Sequence, residues 1–304
     1  MGAGHSHPSS PSGHAGGRYR RKLAVAFGLI SIFFVVELTY GLLADSLSLL
    51  SDAGHMAADV VALGAALAAT KIATRPDKTG RRTFGSYRVE VFASGLTVLL
   101  MLGVAAYVVF EAIGRMGGSP EVQSGPMVVV GALGLLVNVV VMLMLRAGAQ
   151  ESLNVKGAYF EVVADTAGSV GVVIAGILIF ATGETWWDTL VALAIGAFVA
   201  VRAVILGRQV LAVLGQHVPA GMVIDDVAED LGGIDGVKDV HDLHIWVLTS
   251  GMNVATAHLV ASETGQFPRI LADARTMLRS TYAIEHATLQ VERTAAAECH
   301  EIDW

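Results

Sequence analysis

His55 and Asp59 stand four residues apart inside one apolar run, and Glu161 and Asp165 repeat that spacing inside another. On a helix, positions i and i+4 share a face, so each run presents a pair of nitrogen or oxygen ligands. His55 is the only one of the ten histidines that falls within such a run. Ionisable side chains at bilayer depth are costly, and by default they mark an ion or proton path. Two facing pairs supply one imidazole and three carboxylates. That donor set suits borderline divalent cations, Zn²⁺ above all, with Co²⁺, Cd²⁺ and Fe²⁺ also accommodated. The lack of thiolate ligands argues against Cu⁺. Ligands must be deprotonated to bind metal, which links metal release to proton uptake at the same residues. The competing reading is a buried salt-bridge or hydrogen-bond network between helices. Three acids and one histidine, with no Arg or Lys partner within ten residues of them in the same runs, weigh against it on sign.

The elements that must position these groups are membrane helices. The chain has 304 residues, 54% of them hydrophobic and 15% charged, with a mean hydropathy of +0.60. Soluble chains carry about 25% charged residues. Six apolar stretches approach or exceed the roughly 20 residues that cross a hydrocarbon core: Leu23–Ala44, Ser46–Ile72, Val89–Phe110, Pro126–Leu145, Gly157–Ala181 and Thr189–Leu206. The first two are joined tightly, and Asp45, Ser46 or Ser48 is the expected cap of the second helix. Asp59 falls near the middle of the second stretch, and Glu161 and Asp165 lie nearer the middle of the fifth than its ends. The two pairs can therefore meet at similar depth. Asp52, one turn before His55, is read as supporting a ligand or lining an outer vestibule. Glu37, Asn138 and Glu111 are read as helix–helix hydrogen-bonding groups.

Lys and Arg in the short connections fix the expected orientation. Twelve lie on one side (Arg18, Arg20, Arg21 and Lys22; six between Lys71 and Arg88; Arg146 and Lys156) and only Arg115 on the other. Both termini are thus expected in the cytoplasm, with the protein in the inner or plasma membrane. No basic patch leads into a short apolar core, so no cleavable signal peptide is expected. The lone Cys299 excludes an intrachain disulfide framework.

Past Arg208 the apolar runs shorten and charge returns. Residues 1–208 carry a net charge of +2 and residues 209–304 a net charge of −9. An acidic tail domain argues against nucleic acid. Its pattern predicts α-β-β-α-β: helix over Val223–Leu231, strands over Val237–Thr249 and Asn253–Ser262, helix over Pro268–Tyr282 and strand over Ala287–Arg293. His241 and His244, three apart on one strand, are predicted on opposite faces. His286 is read as structural. The expected organisation is a flexible tail over residues 1–19 holding His5, His7 and His14, a six-helix membrane domain over 20–208, a small cytoplasmic α+β domain over 209–294, and a C-terminal tail over 295–304.

Ser51-Asp52-Ala53-Gly54-His55 followed by Asp59 resembles the second-helix signature of the cation diffusion facilitator family. Phe84-Gly85-Ser86-Tyr87-Arg88-Val89-Glu90 resembles its motif leading into the third helix, and Glu161 and Asp165, followed by Gly168-Ser169-Val170-Gly171-Val172, its fifth helix. Val240-His241-Asp242-Leu243-His244-Ile245-Trp246 resembles the first strand of its cytoplasmic domain. The likeness runs in order from about residue 20 to the end and falls in the bacterial cobalt–zinc–cadmium resistance branch. It implies a homodimeric exporter of Zn²⁺, Cd²⁺ or Co²⁺ in exchange for protons, working by alternating access, with a ferredoxin-like cytoplasmic domain. It implies no prosthetic group and no enzymatic activity. It also implies a regulatory metal held by His241, His258 and Glu292, which Cys299 and His300 would complete.

Three positions depart from the family pattern. Zinc-selective relatives have histidine where this chain has Glu161. The loop between the second and third helices has Asp77 but no histidine, so no full metal site is expected there. The connection between the fourth and fifth helices lacks a histidine-rich run. The alternatives are a membrane-anchored metal sensor, a channel, and an exporter whose main cargo is Fe²⁺ or Mn²⁺.

Overall fold

The structure is a computed structural model; it describes residues 15–73, 81–115, 121–147, 153–249, 251–262 and 266–294. The tails holding His5, His7, His14, Cys299 and His300, and the loop with Asp77, lie outside the described residues.

Backbone amides find no water in a bilayer, so apolar runs must satisfy them internally, as helices. The first six elements are α1 (Ala15–Leu43), α2 (Leu47–Ala73), α3 (Val89–Arg115), α4 (Ser124–Leu145), α5 (Leu153–Thr182) and α6 (Trp186–Leu214). Among the described residues five helices are long and apolar enough to cross a membrane: Lys22–Leu43, Val89–Arg115, Ser124–Leu145, Ala158–Thr182 and Trp186–Leu214. The second stretch, expected as a sixth span, folds as a 27-residue helix but is not among the five. It carries Asp52, His55 and Asp59 in its first half.

The chain divides into two compact units, Met1–Gly64 with Leu96–Ile205, and Ala65–Gly95 with Leu206–Trp304. In the first, Phe33, Leu49, Met56, Met127, Val172 and Val199 belong to one buried cluster. Ile32, Leu99, Phe110 and Phe180 point outward and are largely exposed, as lipid-facing side chains must be. Small residues let the helices close. A Cβ on Gly168 would lie 2.6 Å from Asp52 Oδ1, so only glycine lets α5 come this near to α2.

The start of α2 is held from two other helices. Ser46 Oγ accepts from the Leu49 amide (3.2 Å), as an N-cap serine does. The buried Asp188 of α6 accepts from the amides of Leu47 (2.6 Å) and Ser48 (3.1 Å) and from both serine hydroxyls (2.8 and 2.6 Å). A carboxylate at a helix N-terminus complements its dipole. Arg115 of α3 lies 3.6 Å from Asp188 and donates to the backbone oxygen (2.9 Å) and carboxylate (2.8 Å) of Asp45. Asp45 itself sits at φ 51° in the reversal between α1 and α2. These bonds fix the depth and rotation of α2, and with them His55, two turns further on.

In the second unit the order is α7 (Ile224–Gly232), β1 (Val237–Thr249), β2 (Met252–Ala261), α8 (Phe267–Tyr282) and β3 (His286–Glu292). The sheet order is β1-β2-β3, with β1 and β2 antiparallel and β2 and β3 parallel. Parallel neighbours need a crossover, and α8 supplies it. Ile270, Ala274 and Leu278 of α8 and Val227 and Leu231 of α7 are buried at i, i+4 spacing against Ile245 and Leu259 of the sheet. The Phe84 ring meets the His286 ring edge-on at 5.2 Å, and Thr249 Oγ1 donates to Glu90 (3.2 Å), so the turn before α3 is tied to the sheet within this unit.

One strand expectation fails. His241 pairs with His258, whereas His244 pairs with Thr256 across a register shift. His258 and Thr256 are two apart on β2, so they share a face. A bulge at Asp242 (φ 52°) therefore brings His241 and His244 to the same side rather than opposite sides.

Candidate metal centre

α2 carries His55 and Asp59, and α5 carries Glu161 and Asp165. The structure brings three of these four together. His55 Nε2 lies 3.3 Å from Asp165 Oδ1 and 3.8 Å from Asp59 Oδ2. One ligand atom from each of the three lies within 4.8 Å of the others. His55 and Asp165 are buried, at 2% and 3% exposure, whereas Asp59 is partly open. Asp165 Oδ1 has no hydrogen-bond donor. An imidazole and two carboxylates converging in an apolar bundle favour a cation strongly.

Glu161 does not join that cluster. One oxygen is held by Arg202 of α6, and the other is buried without a partner. The second guanidinium nitrogen of Arg202 lies 3.0 Å from His55 Nε2. The reading of these two runs offered no cation partner; the structure supplies one from a third helix, Arg202 of α6. A signal was present, because Arg202 is the one charged residue in the stretch Thr189–Leu206. Phe198, one turn earlier on α6, packs edge-on against the His55 ring at 6.2 Å.

Asp52 sits outside the ligand cluster, fully buried and close to Glu37 and Ser169. Glu37 of α1 stands within hydrogen-bond reach of Asp52 of α2, the helix–helix contact expected of it. Asn138 forms another, from its Nδ2 on α4 to Ser169 Oγ on α5 (3.2 Å). Glu111 instead accepts from Arg115 on its own helix (3.3 Å).

The second unit holds a separate cluster of His241, His258 and Glu292, one from each strand, with ligand atoms within 4.8 Å. His241 Nε2 lies 2.9 Å from Glu292 Oε1, and His258 Nδ1 lies 3.8 Å from the same oxygen. The two imidazole rings are 5.2 Å apart. His244 turns to Asp242 (2.9 Å) instead.

Residues 23–214 match the cation efflux transmembrane domain, and residues 219–294 match the cation efflux protein cytoplasmic domain. The metal cation efflux system protein CzcD of Cupriavidus metallidurans is 44% identical over 306 residues, covering 100% of this chain and 93% of that protein. A cadmium, cobalt and zinc/H⁺-K⁺ antiporter of Bacillus velezensis is 32% identical over 300 residues, covering 96% and 93%. The solved metal-bound C-terminal domain of the CzcD transporter from the former bacterium is 36% identical, covering 23% of this chain and 99% of that one, with a TM-score of 0.22. Two family domains in sequence and a relative matched from end to end leave one assignment: the chain belongs to the cation efflux, or cation diffusion facilitator, family, in its CzcD-like branch.

Proposed function

We propose that the protein is a secondary active transporter that exports divalent metal cations from the cytoplasm in exchange for protons. Zn²⁺ is the leading cargo, with Cd²⁺ and Co²⁺ beside it, as the names of the relatives suggest. The observation that carries this reading is the convergence of His55, Asp59 and Asp165 from two helices, with His55 and Asp165 buried and Asp59 partly open. Glu161, one turn from Asp165, is the fourth ligand once its carboxylate turns inward. Each ligand binds metal only when deprotonated, so protons and metal compete for the same electron pairs. That competition is what an exchanger needs: one site, alternately facing each side, loaded with metal on one and with protons on the other. Neither a sensor nor a channel calls for this set, since a sensor needs no ligands among membrane helices and conduction needs weak sites.

The same reading includes α2 as a sixth span, both termini in the cytoplasm, and a bacterial inner membrane location. It divides the chain into a tail over residues 1–19, a membrane domain over 20–208, a ferredoxin-like domain over 209–294 and a tail over 295–304. The ferredoxin-like domain joins two copies of the chain. His241, His258 and Glu292 hold a regulatory ion there, with Cys299 and His300 as candidates to complete it.

The test is uptake of Zn²⁺, Cd²⁺ and Co²⁺ into proteoliposomes with an imposed pH gradient. Saturable uptake that follows the gradient and disappears in Asp165→Ala is expected. Inserted wild-type protein that moves none of these ions under any gradient would falsify the exporter.

A further inference from the structure

We infer that Arg202 is a built-in counter-cation of the transport site, which sits against ligand atoms the metal needs and must withdraw before metal loads. This rests on the exporter reading above. A guanidinium has five donors and no acceptor, and it stays charged at any working pH. Its contact with His55 Nε2, at 3.0 Å, sets a fixed positive donor against that nitrogen. Nε2 is also the nitrogen that faces Asp59 and Asp165, so it is the atom through which His55 would bind a metal in their company. The other arm of Arg202 occupies Glu161. One planar fork thus covers two of the four ligands at once, a geometry that arginine provides and lysine does not.

Arg202 and a divalent ion cannot share these atoms, and they repel at this range. Loading must displace the guanidinium; its return displaces the ion. Arg202 is half-buried on a long stem, and its guanidinium carbon lies 5.8 Å from the centre of the Phe198 ring, which gives it a second anchorage as it moves. The consequence is a site weaker than its ligands alone would make, and a metal that leaves faster. Arg202 is thus a positioning and affinity-setting residue; it is never a ligand.

The experiment uses the full-length protein in lipid nanodiscs, titrated with Zn²⁺ against a chelating dye, and the same variants in proteoliposomes. Arg202→Met is expected to bind Zn²⁺ about tenfold more tightly, with a lower half-saturating concentration and a severalfold lower maximal flux. Arg202→Lys, which keeps the charge, is expected to bind closer to wild type than Arg202→Met. A merely structural arginine predicts the opposite split, with half-saturation raised as flux falls. Arg202→Gln tests the same point if the methionine variant does not fold. Saturable wild-type binding that Asp165→Ala removes, together with unchanged or weaker binding in the Met and Gln variants, overturns the role of Arg202 and leaves the exporter standing. No Zn²⁺ binding by wild type overturns both.

Discussion

His55, Asp59 and Asp165 come from two helices that meet where Gly168 lets them touch, whereas His241, His258 and Glu292 come from three strands hydrogen-bonded edge to edge. The donors are nearly the same, but the mountings differ. Strand ligands cannot separate without breaking a backbone ladder, which is costly for a buried polar group. Helices keep their hydrogen bonds internal, so two of them can slide or tilt at the expense of side-chain packing alone. The occupants of the ligand atoms differ too. In the helical cluster a guanidinium lies on His55 and Glu161, while in the sheet His241 faces Glu292 at 2.9 Å. A mobile mounting with a resident competitor suits an ion in transit. A rigid one suits an ion that stays and reports its presence.

The largest effect that bears on this contrast is expected from Asp59→Ala. Loss of one carboxylate from a small buried set removes about 10²-fold or more of metal affinity, and flux in proteoliposomes falls to background. Zinc-dependent changes in the sheet remain, because the two clusters share no residue. Metal flux near wild type in this variant breaks the assignment of the helical cluster as the path. Next in size is Gly168→Ala. A Cβ there meets Asp52 Oδ1 at 2.6 Å, so α5 or Asp52 must shift. Overpacking of this kind costs about 1–3 kcal/mol, read as a lower melting temperature in detergent together with reduced flux. A variant as stable and active as wild type shows that α2 and α5 do not depend on this close approach.

What the sequence made legible follows the range of each interaction. The proximity of His55 to Asp59 is a property of one helix turn, and i, i+4 spacing reveals it. The helices themselves follow from apolar length, and α3 and α4 begin or end where the apolar runs do, at Val89 and Leu145. The tail order α-β-β-α-β was readable because buried positions on α7 and α8 repeat every four residues, while β3 alternates between exposed and half-buried positions. Tertiary choices were not legible. Nothing in the spacing of Glu161 and Asp165 says which turns toward His55 and which toward α6, because that depends on Arg202, 41 residues further along the chain. Asp188 capping α2 across 141 residues is the same kind of event. The bulge that reunites the faces of His241 and His244 escaped counting because it rests on one left-handed residue, Asp242, with no glycine to flag it.

Glu161→His sharpens the comparison from the cargo side. An imidazole in place of the carboxylate takes away the anionic partner of Arg202 and adds a second nitrogen donor, to which zinc responds more than the larger cadmium ion does. The ratio of Zn²⁺ to Cd²⁺ uptake, measured in competition, is expected to rise severalfold. An unchanged ratio means that Glu161 does not set selectivity.

The smallest effect lies in the sheet. An ion bound only by the folded state stabilises it by about 2.7 kcal/mol at a hundred times its dissociation constant. In the full-length protein this is expected as slower amide exchange across β1, β2 and β3 when Zn²⁺ is added. His241→Ala should remove most of that increment and leave the metal-free exchange almost unchanged, since Glu292 is reached by His258 as well. Acidification separates ligand from bystander. Protons compete with metal for an imidazole nitrogen, so the zinc-dependent protection is expected to weaken on acidification at a fixed Zn²⁺ concentration. Protection in the His241→Ala variant equal to that of wild type would mean that carboxylates alone hold the ion. The contrast between the two mountings would then owe nothing to the histidines they share.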